Sequence, residues 1–158
     1  MKKIIIFCLL VFLASSFVFA QDEKTGAITG MFGLGLGYST IVETAPQFSF
    51  VFDLNLISKT GFSLSFTDVI GLRNSGGGGF TQNILFGAGY HYLRDKWNVG
   101  GAFLVSPTAM DIMFAGKING SYYFGDIGIT GVLLYRWTAG ITWEMSMFDV
   151  FIGPSIRF

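Results

Sequence analysis

From Gln47 to Leu56 the chain reads Q-F-S-F-V-F-D-L-N-L, with Phe48, Phe50, Phe52, Leu54 and Leu56 on alternate positions. Gln47, Ser49, Asp53 and Asn55 lie between them, and only Val51 breaks the polar set. Side chains alternate faces along a strand, so the segment predicts a strand with one apolar and one mostly polar face. The pattern recurs over residues 26–38, 61–72, 80–93, from 97, 112–124, from 127 and 148–158, predicting eight strands in all. In a soluble sheet the apolar faces would need a cover, and the chain has little left to supply one. The reading that fits is an all-β fold: an eight-stranded, antiparallel, up-and-down transmembrane β-barrel, apolar residues facing lipid and polar residues facing the lumen.

The connections alternate in length, as this topology requires. Residues 57–60, 94–96 and 125–126 predict tight polar turns on the periplasmic side, and 40–46, 73–79 and 106–111 longer extracellular loops. Residues 139–147 fit a fourth loop, with Trp143, Glu144 and Met145 in it. With both termini in the periplasm, Phe62, Tyr90, Tyr92, Trp97, Tyr122 and Phe124 fall at one membrane edge and predict an interfacial aromatic belt. The clearest polar residues on the lipid face, Asp68 and Gln82, are expected near the extracellular interface, where charge costs less than at the midplane.

Composition adds an address. Lys2 and Lys3, the apolar run Ile4–Leu13 and the Val18-Phe19-Ala20 cleavage site predict a signal peptide over residues 1–20, leaving 21–158 as one barrel domain. The single cysteine, Cys8, lies in the apolar run, so the mature domain has no thiol chemistry. Half of the 158 residues are hydrophobic, yet no later stretch reaches the ~20 consecutive apolar residues of a membrane helix. Without Lys2 and Lys3, eight basic residues face ten acidic ones, which gives no argument for nucleic acid as a partner.

The final residues F-I-G-P-S-I-R-F place Gly153, Ile156 and Phe158 in a pattern that resembles the insertion signal of bacterial outer-membrane barrels. Pro154 departs from it, since proline removes a ladder donor and is expected only at a bulge or strand end. The 21–158 segment as a whole resembles small eight-stranded barrels of the OmpX, OmpW and OmpA transmembrane-domain type. That resemblance implies a monomer in the bacterial outer membrane, with outer-membrane lipids as surroundings and the barrel-assembly machinery as a partner during biogenesis.

Two readings of the lumen compete. Asp53, Lys117, Arg136, Asp149 and Arg157 all fall on inward positions and predict a polar network, either self-neutralising or a filter for solutes. Gly33, Gly35 and Gly37 face inward together as a wall of small residues, which would widen the bore or relieve strain in a curved sheet. The first reading is a narrow porin-like passage or binding site for a small solute. The second is a closed structural barrel or an adhesin-like surface protein. Neither is an enzyme: His91 is the only histidine, no Ser-His-acid set is legible, and no catalytic, cofactor or metal site is expected.

Overall fold

A computed structural model describes residues 26–39, 46–73, 79–107, 112–139 and 146–158. The expected signal peptide, residues 21–25 and most of the four expected loops, including Trp143, Glu144 and Met145, lie outside these residues. Eight strands follow in chain order: β1 (Ala27–Ser39), β2 (Gln47–Ile57), β3 (Phe62–Arg73), β4 (Gly79–Leu93), β5 (Trp97–Pro107), β6 (Ile112–Tyr123), β7 (Ile127–Ala139) and β8 (Ser146–Arg157). Each pairs antiparallel with the next and β8 with β1, closing a barrel with no free edge.

The register fixes the bore. From Ala27, the pairs run through Ile57, Ser63, Gly89, Ala102, Lys117, Leu134 and Asp149 and re-enter β1 at Gly37, ten residues further along. Such a stagger on eight strands tilts them steeply and leaves an interior just wide enough to be filled by side chains. Every residue on that circuit belongs to the inward face. The outer face is apolar: Phe32 on β1, Phe86 on β4, Ile118 on β6 and Ile152 on β8 are 55%, 51%, 61% and 65% exposed. Exposed apolar area on every side of a molecule is what a lipid-facing surface presents, and far exceeds the patches of soluble proteins.

The three short connections are tight turns. Gly61 and Gly125 occupy φ +89° and +109°, a region that strains any residue with a Cβ. At 94–97 the hairpin is closed by Arg94 N–H donating to Trp97 O (2.7 Å) and Trp97 N–H donating to Arg94 O (3.2 Å). The seam is closed in the same manner, by Phe158 N–H to Ile28 O (2.9 Å) and Ile28 N–H to Phe158 O (3.0 Å).

Three expectations need correction. β8 begins at Ser146, two residues before the alternation becomes legible, because Ser146 pairs with Trp137 and donates its hydroxyl to Tyr135 Oη (2.6 Å). Pro154 sits inside β8, not at its end. It pairs with Ile129 of β7, whereas the β1·β8 ladder skips Phe32 and Gly33, so the lost donor falls on the β1 side. Asp68 lies midway along β3, opposite Ile84, and is reached by Gln82 Nε2 at 2.8 Å on the same outer face. The amide satisfies Oδ2 of the carboxylate, while Oδ1 is buried without a hydrogen-bond partner among the described residues.

Candidate functional site: the barrel lumen

Alternation sends the odd-numbered residues of β2 inward, and the register lines them up against the other strands. Lys117 of β6 reaches across to β2, which is diametrically opposite in a ring of eight. Its Nζ donates to Asp53 Oδ1 (2.7 Å) and to Asn55 Oδ1 (2.7 Å). Asp53 also accepts from Thr67 Oγ1 (2.5 Å) and Asn55 Nδ2 (2.8 Å), and Asn55 Oδ1 from Ser65 (2.7 Å). Both charges are removed from water, at 0% and 1% side-chain exposure. A buried pair is tolerated only when its remaining lone pairs are satisfied, and here β2 and β3 supply the partners.

The second pair is separate. Arg136 of β7 binds Asp149 of β8 side-on, Nε to Oδ2 at 2.7 Å and Nη2 to Oδ1 at 2.9 Å. This is the bidentate geometry that makes Arg–carboxylate bonds strong. Its Nη2 also lies 3.7 Å from Met147 Sδ. The pair sits toward the loop end of the barrel. Arg157 joins neither pair. Its guanidinium stacks over Tyr123 (4.8 Å to the ring centroid) and donates to Arg94 O (3.3 Å) at the turn end. The five inward charges therefore form two neutral pairs and one arginine near the mouth, not one network.

Between the two pairs the lumen is apolar. Val51, Val69, Leu85, Leu104 and Leu134 have no exposed surface, and Phe151 and Val132 only 1% each. With Met31, Ala102, Met113 and Ala115 they form one contiguous cluster inside the barrel. The alternation read from the sequence places these residues inward but does not predict this layer. Phe151 and Leu134 are the same residue types as the lipid-facing ones, and parity is the only signal that separates them.

The glycine wall serves this packing. A Cβ at Gly33 would collide with Met31, one at Gly35 with the Phe151 ring and the Val150 carbonyl, and one at Gly37 with the Asp149 carboxylate. These glycines face neighbours rather than open space. Gly153, in the C-terminal pattern, lets the β1 backbone approach: a Cβ there would meet Phe32 O and Gly33 Cα. Ile156 faces outward, half exposed, and Phe158 projects at the turn end.

At the turn end His91 is buried against Gly100 and its Nδ1 lies 2.9 Å from Asn98 Oδ1. That pair contains no nucleophile and no acid. Among the described residues no group of histidine, cysteine and carboxylate side chains is placed to hold a metal. The expected belt residues Phe62, Tyr90, Tyr92, Trp97, Tyr122 and Phe124 lie on the outer face at the turn end, with Trp97 and Tyr122 4.6 Å apart and Tyr122 and Phe124 4.9 Å apart. A mouth of about 400 Å³ opens on the same end, between Ala27, Lys59, Asp126 and Arg157.

The fold has a solved counterpart. The crystal structure of Neisserial surface protein A (NspA) matches with a TM-score of 0.61 over 84% of this chain and 97% of that chain, at 9% identity. The chain has the fold of a small outer-membrane barrel. No protein-family model matches the sequence, and no curated protein does.

Proposed function

We propose that this chain is an integral protein of the bacterial outer membrane whose lumen is closed, so that it acts through its surfaces as a structural or surface-interaction barrel. The observation that carries this reading is the buried layer of Val51, Val69, Leu85, Leu104 and Leu134, which leaves no water-sized space beside these side chains. An open bore would leave surface on the residues lining it. The porin-like alternative would need this layer to move. NspA is a surface protein by name, and the same role suits a barrel whose interior is occupied.

Planar-bilayer recording tests the reading. Protein shown to be folded by heat-modifiable mobility is expected to give no unitary conductance. Reproducible channels would restore the passage reading and refute the closed one.

The C-terminal residues carry a second part of the proposal, recognition by the barrel-assembly machinery through Gly153, Ile156 and Phe158. Phe158→Ala keeps the backbone bonds to Ile28 and removes only the ring. It is expected to refold into lipid vesicles like the wild type while accumulating less in outer-membrane fractions of cells. Normal cellular levels would remove the ring from the signal.

A further inference from the structure

The turn joining β4 and β5 carries two cations, Arg94 and Lys96, that form no ion pair among the described residues, set in the aromatic end of the barrel. Alternation from Tyr90 and Tyr92 sends Arg94 outward. Its Nε donates to Tyr92 Oη at 2.7 Å, and its Cζ lies 5.4 Å from the Tyr92 ring centroid. Using Nε in this way fixes the guanidinium plane and leaves the Nη1/Nη2 edge, the fork that matches two oxygens of a phosphate, without a partner among the described residues. Lys96, two residues on across the turn, is exposed and makes no side-chain bond among the described residues. Among the described residues the ion pairs are Lys117–Asp53 and Arg136–Asp149, so neither Arg94 nor Lys96 is neutralised. Asp95, between them and exposed, is the one opposing charge in the turn.

The apolar surroundings say what the anion is attached to. Tyr92 and Trp97 are 56% and 57% exposed on the outer face, directly below the turn, and Trp97 packs on Tyr122. Tyrosine and tryptophan rings suit the depth at which headgroup meets acyl chain, and arginine and lysine reach from there to the phosphates. A free phosphate would use the cations and ignore the rings. A phospholipid uses both.

We propose that Arg94, Lys96 and Tyr92, flanked by Trp97, form a binding site for the headgroup of an anionic glycerophospholipid in the leaflet on the turn side. The guanidinium fork takes the phosphodiester, the Lys96 ammonium adds the second charge that distinguishes an anionic from a zwitterionic headgroup, and Tyr92 holds the fork in place. The site rests on the outer-membrane reading given above.

The test uses the folded barrel in phosphatidylcholine vesicles carrying spin-labelled phosphatidylglycerol or spin-labelled phosphatidylcholine, with the motionally restricted lipid fraction read by electron paramagnetic resonance. The wild type is expected to prefer phosphatidylglycerol on the order of tenfold, the effect of two basic side chains at an anionic surface. R94Q/K96Q should abolish the preference. Y92F, which keeps both charges, should lose roughly half of its logarithm because the fork is no longer held. D95N should raise it. Absence of preference in the inserted wild type, or full preference retained in R94Q/K96Q, overturns the site. Full preference in Y92F also overturns it, in favour of diffuse surface charge. Failure of the wild type to insert at all would instead refute the outer-membrane reading.

Discussion

Lys117→Met is expected to destabilise the barrel by about 3–5 kcal/mol, the cost of leaving a buried charge without its partner. Asp53 would remain 1% exposed with a full charge, bonded only to the neutral Thr67 and Asn55. Asn55 would lose one of the two donors on its Oδ1 as well. The pair spans opposite strands, so no neighbouring backbone shift can bring another cation in. Adding Asp53→Asn to the same chain removes the stranded charge and is expected to recover most of the loss. Urea titrations in lipid vesicles would measure all three proteins. A single variant as stable as the wild type would show that water reaches Asp53, and with it that the lumen is open at this level. Equal losses in the single and double variants would mean that packing of the lysine stem, not its charge, is what matters.

Much of this arrangement was legible from residue order, because a strand has a period of two and the two faces meet different solvents. The β2 pattern from Gln47 to Leu56 is kept by the fold, in which the strand runs one residue further, Gln47–Ile57. Tight turns were readable where glycine and charge cluster, as at Gly125; Gly61, read as the first residue of a strand, instead ends the turn before β3. Pairing was not readable. Lys117 and Asp53 are 64 residues apart, and only the stagger of the closed sheet decides that they meet while Arg157 meets neither acid. The apolar layer was hidden for another reason: the alternation separates faces, not environments. A leucine on the inward face looks like noise in a polar set until the register stacks Leu85, Leu104 and Leu134 with Phe151. The same blindness made Gly33, Gly35 and Gly37 ambiguous, since glycine can make space or give it to a neighbour. Asp68 shows the converse. Its position midway along the outer face of β3 is costly alone, and Gln82, fourteen residues away, is the partner that parity could not supply.

Gly35→Trp is expected to prevent formation of the folded barrel. The position faces inward, and the first atom of any side chain there would meet the Val150 carbonyl and the Phe151 ring. The carbonyl belongs to the neighbouring strand and cannot turn aside without disturbing the β1·β8 ladder, in which Gly35 pairs with Phe151 and Leu36 with Val150. Gly35→Ala alone should cost about 1–3 kcal/mol through overpacking, and an indole leaves no arrangement in which the layer and the seam both survive. Leu34→Trp, one residue away on the outer face and 45% exposed, is the matched control and should fold with nearly unchanged stability. Pairing Gly35→Ala with Phe151→Ala separates the two contacts: relief of the ring should restore part of the stability, and the carbonyl contact should retain the rest. Heat-modifiable mobility and urea midpoints in vesicles would read the series. A folded Gly35→Trp barrel, with conductance lower than that of a conducting wild type, would instead place the indole in an open channel and return the glycines to the role of a bore.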